Sequence, residues 1–376
     1  MIAYVIPTRD RHEELARTLR SLAELGEAAH APIGGARVIV LDNASAEPAD
    51  AGALGGMLPA TVERLASNEG AAARNLGVEI AAAEGAEWVV MLDDDSSPID
   101  AGFIDELRSA PPDVAAIGAD IVLPSGKRES GGLPEVFVGC GVAIRTDAFL
   151  RAGGYDAGFG YYAEEYDLCA KLIAAGHRIA HSVRFRVEHR KAETGRKFAF
   201  ILEKLVENNA KVVQRYTPDA HLDWYLRHTL DRYERIAAKE GVADAFRRAA
   251  DRLDGALGGE RRAPLCGAHW ERFTGLAAAE ETMRLVRGEG VDRAVVVARG
   301  KHDWCVDEAA SRAGVAVGEP EPRSPTADGK HPMAAVIGTL SPGPMVDAAA
   351  VCGGGWSRVV LPWRPGGVFA GASLAC

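Results

Sequence analysis

The chain has 376 residues, of which 47% are hydrophobic and 26% are charged, with a formal net charge of -10. This composition is typical of a soluble globular protein, and the acidic excess argues against a nucleic-acid partner, which usually requires a basic surface. No apolar run reaches the roughly 18–20 residues of a membrane span, and the first predicted strand at Ile2 leaves no room for a signal peptide. The six cysteines form no Cys-x-x-Cys pair. We therefore expect a cytoplasmic protein without an integral membrane segment.

The first part of the chain alternates short apolar runs with helical patterns. Such alternation predicts a parallel sheet covered by helices. The run at 88–92 is apolar throughout, as buried parallel strands are. Strands are predicted at 2–6, 38–41, 62–66 and 88–92, and helices at 11–25 and 71–83.

After Pro98 the pattern loosens, and after Pro218 it changes character. Further strands are predicted at 136–144 and 178–189, and helices at 146–152, 164–175 and 198–216. These elements are followed by a charged helical stretch and by a Gly- and Pro-rich linker at 255–267. Four short strands are predicted after the linker, at 294–298, 315–317, 334–337 and 359–361. We therefore predict an α/β domain at 1–216, a helical segment with a linker at 217–267, and a small Rossmann-like α/β unit at 268–376.

Three adjacent aspartates, Asp93, Asp94 and Asp95, follow the buried strand at 88–92. Ligands of open α/β sheets bind at the carboxyl ends of strands. Adjacent carboxylates repel one another unless a positive charge is shared, and a hard divalent cation that also binds substrate phosphates supplies such a charge. The triplet therefore predicts a metal site for a nucleotide substrate. The alternative is a solvated acidic turn.

Polar residues also follow the other predicted strands, at what should be the same edge of the sheet. A carboxylate such as Asp42 can accept a hydrogen bond from a base N–H, and Asn68 with Gly70 suits a tight turn that lets backbone approach a ligand. Arg74, on the next helix, can hold Asp93 by a charge-assisted pair. Taken alone, each is better explained as a loop residue or helix cap. Together they indicate a nucleotide site.

These strand ends carry five short segments in a fixed order: Pro7-Thr8, Asp42-Asn43-Ala44-Ser45, Asn68-x-Gly70, Ala73-Arg74-Asn75-x-Gly77 and Asp93-Asp94-Asp95. In this order the segments resemble glycosyltransferase family 2, and the resemblance covers roughly residues 1–216. It implies the GT-A fold, a single nucleotide-binding α/β domain with a D-x-D motif. It also implies an inverting sugar transfer from a nucleotide-diphosphate donor.

The resemblance also assigns the donor site residue by residue. Asp42 would contact the base of the nucleotide, Asp93 would lie near the ribose and base, and Asp95 would ligate the metal that bridges the diphosphate. Thr8 and Arg9 would line the nucleotide pocket. The predicted nucleotide-sugar site comprises Pro7, Thr8, Arg9, Asp42, Asn68, Gly70, Arg74, Asp93 and Asp94.

Two later segments resemble the acceptor side of the family's site. They are 153–156, Gly-Gly-Tyr-Asp, and 164–168, Glu-Glu-Tyr-Asp-Leu, which are similar to the family's G-G-F-D and E-D-x-D-L. An inverting displacement requires a base that takes the proton of the acceptor hydroxyl, and a carboxylate at a helix N-terminus is kept ionised by the helix dipole. We predict Glu165 as this base, with Glu164 second. The alternative is that both are merely an acidic first turn. The residues predicted to bind the acceptor are Gly153, Gly154 and Tyr155.

His189 ends the predicted strand at 178–189. A lone histidine is more often structural than a ligand. In the family that the chain resembles, however, a histidine at the end of the corresponding strand is a metal ligand paired with the D-x-D motif. Imidazole suits manganese better than magnesium or calcium. We predict a divalent metal cofactor, Mn2+ or Mg2+, held by Asp95 and His189.

The sequence says less about the nucleotide base of the donor and about the acceptor. Family members often have Tyr-Asn where this chain has Arg9-Asp10, which leaves the base open, with a UDP-sugar favoured. Processive synthases of the family carry a Q-x-x-R-W motif and membrane spans, whereas the single glutamine here, Gln214, does not begin that motif. A single addition to a hydroxyl acceptor is therefore expected rather than polymerisation.

Two other functions are alternatives to this prediction. A nucleotidyltransferase would usually show a Gly-rich, basic loop directly after the first strand, and residues 7–10, Pro-Thr-Arg-Asp, are not such a loop. A non-catalytic nucleotide-sugar or saccharide-binding module is the second alternative. The presence of Asp93, Asp95, Glu165 and His189 argues against it.

The C-terminal unit has no recognisable nucleotide-binding motif, since neither G-x-G-x-x-G nor G-x-x-x-x-G-K-[ST] occurs in the chain. Its segment at 299–303, Arg-Gly-Lys-His-Asp, follows a predicted strand and could meet an anion, although a loop that opens a helix is the favoured interpretation. We expect the unit to serve acceptor recognition or homodimerisation.

Overall fold

A computed structural model of the chain describes residues 1–191, 198–318, 331–352 and 356–364. Within these ranges the chain forms one large sheet of eight strands and a smaller sheet of four, with helices against both. The predicted C-terminal unit at 268–376 therefore includes segments outside the described residues.

The large sheet contains β1 to β8, and the small sheet β9 to β12. The strands are β1 Ile2–Thr8, β2 Ala36–Asp42, β3 Ala60–Arg64, β4 Trp88–Leu92, β5 Ser96–Pro98, β6 Val114–Val122, β7 Gly141–Arg145, β8 Arg178–His189, β9 Arg293–Val297, β10 Ala316–Gly318, β11 His331–Ile337 and β12 Trp356–Val360.

Helices connect most of these strands. The α-helices are α1 His12–His30, α2 Ala73–Ala83, α3 Phe103–Ser109, α4 Thr146–Arg151, α5 Glu164–Ala174, α6 Phe198–Tyr216, α7 Leu222–Lys239, α8 Ala243–Asp251, α9 Leu253–Leu257, α10 Gly267–Thr274, α11 Leu276–Gly288, α12 Asp303–Ala313 and α13 Pro342–Cys352. None of the described helices is both long enough and apolar enough to cross a membrane.

The large sheet has the strand order β3-β2-β1-β4-β7-β6-β8-β5. Strands β1 to β4 are parallel, whereas β7 runs antiparallel to both of its neighbours and β5 antiparallel to β8. The register aligns the carboxyl ends, because Thr8 of β1 pairs with Asp42 of β2 and Val5 pairs with Met91 of β4. The residues that follow β1, β2 and β4 therefore meet at one edge of the sheet.

Both faces of this sheet are buried by packed side chains. On one face, α1 and α3 contribute Leu19 and Phe103, and the Phe103 ring stacks on Phe185 of β8 at 4.6 Å between centroids. On the other face, α2 and α5 pack in a cluster that continues into the C-terminal unit through residues such as Phe273. The two α/β units therefore share one apolar core.

The small sheet is parallel throughout, with the order β10-β9-β11-β12. Its helices α11 and α12 pack against each other and close the unit. Together with the large, mostly parallel sheet, this confirms the predicted fold class, an α/β domain followed by a helical segment and a small Rossmann-like α/β unit.

The structure differs from the predicted elements after Pro98. Strands β5 and β6 and helix α3 were not predicted, and the strand expected at 136–144 is confined to Gly141–Arg145. The predicted linker at 255–267 is tied to α6, because the backbone N–H groups of Ala263 and Leu265 donate to the carbonyls of Arg215 and Tyr216 at 2.8 and 2.9 Å.

Gly77 shows why one position of the α2 segment needs a small residue. A Cβ atom at Gly77 would lie 2.5 Å from a methyl group of Val5 and 2.9 Å from one of Leu41. Helix α2 therefore packs against β1 and β2 without space for a side chain. We expect Gly77→Ala to lower the free energy of unfolding by about 1–3 kcal/mol through overpacking, as measured by urea denaturation.

Gly255 is the matched control for this substitution. It lies exposed in α9 and has no atom within 4 Å of a built Cβ. Gly255→Ala should raise stability by roughly 0.5–1 kcal/mol, because alanine loses less backbone entropy in a helix. Equal effects of the two substitutions would contradict the packing argument.

Candidate donor and metal site

The aspartate triplet begins directly after β4, and neighbouring elements compensate its charge. Arg11, which precedes α1, contacts Asp94 Oδ1 at 2.8 Å and Asp95 Oδ2 at 2.6 Å. Thr8 donates a 2.9 Å hydrogen bond to Asp94. Burial raises the pKa of Asp94 to about 7, although the charge of Arg11 opposes this shift. Asp94 therefore ties β1 to β4 and does not face open solvent.

Asp95 meets His189 at the end of β8. Asp95 is fully buried, and its Oδ1 lies 3.3 Å from His189 Nε2. On the other side of the ring, His189 Nδ1 lies 2.9 Å from Glu129 Oε2. Lys191 Nζ contacts the second oxygen of Glu129 at 3.0 Å. The imidazole is thus held between two carboxylates.

This arrangement requires an additional positive charge. A neutral imidazole carries one N–H and can donate to only one of the two carboxylates. Without an ion, burial disfavours a charged ring, but the hydrogen bonds to Asp95, Cys140 and Glu129 outweigh burial and raise the pKa of His189 to about 12. A metal cation between Asp95 and His189 would satisfy the same charge, with Glu129 fixing the tautomer from behind.

Two further ligand atoms lie close to this pair. A carboxylate oxygen of Asp93, the sulfur of Cys140 and a ring nitrogen of His189 lie within 4.8 Å of one another. Burial raises the pKa of the Cys140 thiol. The oxygen and nitrogen atoms available to a metal ion at this place belong to Asp93, Asp95 and His189.

Asp93 is oriented by Arg74 of α2, which the sequence predicted. Arg74 donates to Asp93 Oδ1 at 2.5 Å and to the carbonyl oxygen of Leu92 at 3.1 Å. Arg74 is buried, whereas the side chain of Asp93 is 33% exposed. Arg74 therefore presents one aspartate of the triplet to the cleft.

Asp42, predicted to contact a base, is turned into its own loop in the structure. Its two oxygens accept hydrogen bonds from the backbone N–H groups of Ser45 and Ala49 at 2.8 and 3.1 Å. The side chain is fully buried. Burial alone would raise the pKa of Asp42, but these hydrogen bonds and Arg64 lower it. Contact with a base would require this loop to open.

Asn68 and Gly70 form the turn that the sequence predicted. Gly70 has a φ of +62°, and a Cβ there would lie 2.4 Å from the carbonyl oxygen of Gly160. Asn68 Oδ1 accepts from the Gly70 N–H at 3.0 Å and from the hydroxyl of Tyr161 at 3.1 Å. The turn is thereby joined to the loop that leads into α5.

The structure does not bring Arg9 to the aspartates. Its side chain is 49% exposed, and its guanidinium lies 3.6 Å from Asp10. Pro7 is part of β1 and is partly buried. Arg11, two residues further along, makes the contacts with the triplet. It was not predicted, and only its position just after β1 pointed to it.

Glu164 and Glu165 form the first turn of α5, opposite the aspartates. The preceding residue, Ala163, has a φ of +66°, and Asn208 of α6 donates to the carbonyl oxygen of Tyr162 at 2.8 Å. Burial raises the pKa of both glutamates, and for Glu164 the charge of Glu165 adds to the effect. The charges of Arg74 and Asp93 also act on both carboxyls, so the first turn of α5 lies near the triplet. The space between them is the candidate cleft.

The predicted acceptor residues Gly153, Gly154 and Tyr155 lie in the segment between α4 and α5, next to α2. Tyr155 is 3% exposed, and its hydroxyl donates to the sulfur of Met91 at 3.3 Å. Asn75 accepts from the backbone N–H of Tyr155 at 2.9 Å and donates to its carbonyl at the same distance. Tyr155 is thereby joined to α2, whereas Gly153 is exposed.

The C-terminal unit holds the loop that carries Glu129. Arg128 contacts Asp347 of α13 through its backbone N–H at 2.9 Å and through its guanidinium at 3.1 Å. The backbone N–H of Gly131 donates to the hydroxyl of Ser341 at 3.1 Å. Glu129 lies between these two anchors. No pattern in the sequence pointed to this role of Glu129.

Glu129 is expected to position His189 for metal binding. Glu129→Gln keeps the size of the side chain but removes the charge that holds the Nδ1 proton. We expect the affinity for Mn2+ to fall by about 10–100-fold, as measured by electron paramagnetic resonance of free Mn2+.

Glu188→Gln is the matched control, because Glu188 precedes His189 on β8 but is exposed. Its Mn2+ affinity should equal that of the unmodified protein. If Glu129→Gln binds Mn2+ equally well, Glu129 has no part in positioning the ligand.

No protein of curated function matches the chain by sequence. The chain is similar to the solved structure of the mannosyltransferase PcManGT from Pyrobaculum calidifontis in complex with GDP-Man and Mn2+. The two sequences are 14% identical, the match covers 83% of this chain and 86% of that chain, and the TM-score is 0.45. It is also similar to residues 1–349 of S. aureus TarS, alone (15% identity) and with UDP-GlcNAc (14% identity), with 88% of this chain and 95% of that chain covered and a TM-score of 0.49 in both.

The sequence model of Glycosyl transferase family 2 matches residues 4–126. This range runs from β1 through β6 and contains the aspartate triplet, Arg74 and the loops after β1, β2 and β3. The resemblance predicted from the five segments is confirmed over these residues, where the chain is similar to glycosyl transferase family 2.

Proposed function

We propose that the protein is an inverting, metal-dependent glycosyltransferase that moves a sugar from a nucleotide-diphosphate donor to a hydroxyl acceptor. The observation that carries the proposal is the imidazole of His189 held between Asp95 and Glu129 at 3.3 and 2.9 Å. It lies at the carboxyl edge of a sheet whose first strands match glycosyl transferase family 2. Such an edge is where open α/β sheets bind nucleotides.

The residues present fit a divalent cation. Asp95 and His189 would hold it, with Asp93 beside them, and Glu129 would fix the ring of His189. When bound, a divalent metal supplies Lewis-acid neutralisation of the diphosphate leaving group. Oxygen and imidazole ligands suit Mn2+, with Mg2+ as the alternative.

The remaining charges of the cleft have separate tasks. Arg74 orients Asp93 toward the nucleotide, and Arg11 keeps Asp94 and Asp95 in place. Glu165 would take the proton of the acceptor hydroxyl as the new glycosidic bond forms, since it stands across the cleft from the aspartates. A carboxyl group with a raised pKa is a stronger base when it is ionised.

Other parts of the proposal follow from the sequence. We propose a UDP-sugar donor, a single addition rather than polymerisation, and a cytoplasmic location. We also propose the division into 1–216, 217–267 and 268–376, with acceptor recognition or homodimerisation assigned to the last part. Donor and acceptor are thus expected to meet between α5 and the aspartate triplet.

Asp95→Asn tests the metal-dependent function. The variant keeps the shape of the side chain but removes the charge that faces His189. We expect Mn2+-dependent release of nucleoside diphosphate from nucleotide-sugars to fall by at least about 100-fold, as measured with a panel of nucleotide-sugars with Mn2+ and with chelator.

Asp105→Asn serves as the control, because the side chain of Asp105 is 65% exposed on α3 and pairs only with Arg108 nearby. It should leave turnover unchanged. Undiminished turnover of Asp95→Asn in chelator would remove the metal from the proposal. Release of pyrophosphate would instead indicate a nucleotidyltransferase.

Glu165→Gln tests the assignment of the base. Glutamine cannot accept the hydroxyl proton but retains the size of the side chain, so donor binding should persist while turnover falls by about 100-fold or more. Donor affinity is measured by calorimetry and turnover by diphosphate release. Glu164→Gln is the adjacent comparison, and a larger loss of turnover there would move the base to Glu164.

The pH profile gives an independent reading of the same base. Burial raises the pKa of Glu165 above the ordinary 4.5, and the base must be ionised to act. Turnover should therefore fall as the pH drops through a value above 4.5. An acid limb at or below that value would contradict the raised pKa.

A further inference from the structure

The loop after β9 lies at the switch point of the small sheet. β9 has β10 on one side and β11 on the other, so the chain leaves its carboxyl end in one direction and returns to the opposite side. The crevice outside the carboxyl ends of two such strands is where open parallel sheets bind ligands. In this unit that position is taken by the loops at 298–302 and 338–341, which hydrogen-bond to each other.

The backbone of this crevice is fixed by close contacts. The N–H of Gly300 donates to the carbonyl of Gly338 at 2.8 Å, and the N–H of Leu340 donates to the carbonyl of Lys301 at 2.9 Å. A Cβ at Gly300 would lie 2.9 Å from Thr339. The position of Lys301 is therefore set by both loops.

Lys301 points from the C-terminal unit toward the first turn of α5. Its Nζ donates a hydrogen bond to the hydroxyl of Tyr166 and lies 4.4 Å from the centre of that ring. Tyr166 follows Glu165 in the chain, and the charges of Lys301 and Glu165 attract each other. The C-terminal unit thus places a cation beside the proposed base.

Arg232 of α7 adds a second cation. Within the described ranges, neither Lys301 nor Arg232 has a carboxylate oxygen within 4 Å. Burial and then the charge of Arg232 lower the pKa of Lys301 to about 7. Arg232 repels Lys301, and Glu165 attracts it. Two partly buried cations that repel each other are suited to bind an additional anion nearby.

Aromatic rings border the same place. Trp224, His228 and Arg232 follow one another at four-residue spacing along one face of α7. Trp224 is 44% exposed and meets Trp304 at 5.0 Å between centroids, edge to face. Trp304 lies three residues after Lys301. Exposed aromatic rings next to cations offer an apolar face and an ionic contact to the same ligand.

We propose that Lys301 and Arg232 bind the anionic group of a saccharide acceptor, with Trp224 and Trp304 against its sugar ring. The anionic group is a phosphate or a carboxylate. Calling this saccharide the acceptor rests on the proposed function. The acceptor hydroxyl would then reach Glu165 from the side of the C-terminal unit, whereas the donor enters from the aspartates.

Binding of three probes tests this site without donor and without metal. Glucose 6-phosphate, glucuronate and glucose are titrated by calorimetry in the presence of chelator. We expect at least one of the two anionic sugars to bind more tightly than glucose. Lys301→Gln and Arg232→Gln should each weaken that binding by about tenfold, which corresponds to the loss of one charge-assisted contact.

Lys239→Gln is the control for the loss of one positive charge, because Lys239 is exposed at the end of α7. It should bind the probes as the unmodified protein does. The melting temperature of each variant shows whether it is folded. Because Lys301 and Arg232 lie on separate elements, the site can still be tested if one of the two variants fails to fold. Equal binding of all three sugars, or anion binding that survives both substitutions, would overturn the site.

The outcomes separate this site from the proposed function. A chain that binds an anionic sugar through Lys301 but releases no diphosphate from any nucleotide-sugar would retain the site and lose the transferase. The protein could instead turn over nucleotide-sugars with Mn2+ but bind no anionic sugar at roughly 10 mM. That result would support the transferase function and reject the anion site.

Discussion

Compensation of negative charge at the carboxyl end of β4 is the constraint on which the site depends. Three consecutive aspartates occupy this position, and two glutamates face them from α5. Like charges so close together raise the energy of the folded chain unless cations are supplied. Each cation comes from a different element: Arg11 before α1, Arg74 on α2 and His189 at the end of β8. The acidic edge therefore joins segments that lie far apart in the sequence.

The first half of the fold could be predicted because three of its strands, β1, β2 and β4, are buried on both faces. Continuous apolar runs such as Trp88–Leu92 are visible without knowledge of their neighbours. Strand β6, Val114–Val122, escaped prediction because its alanines and a glycine dilute the apolar run and because its pairing with β8 shifts register. Short β5 has only three residues. Their existence depends on partners supplied by distant parts of the chain.

The site was predictable to the level of its segments but not of every side chain. Arg74 reaches Asp93, and His189 reaches Asp95, at the ends of elements whose direction the strand pattern fixed. Arg9 and Arg11 differ by two residues, yet only Arg11 meets the aspartates, because a turn follows β1 and redirects the chain. Glu129 lies 60 residues from its partner on a loop without a regular pattern, so no local signal identifies it.

The anchoring of the Glu129 loop by α13 has a consequence for the history of such chains. Arg128 and Gly131 are held by Asp347 and Ser341, which belong to a different α/β unit from the sheet they serve. Recombination that exchanged this unit for an unrelated one would also remove the contacts that hold the Glu129 loop beside His189. The two modules are therefore expected to be inherited together, with substitutions on one side of the junction matched by substitutions on the other.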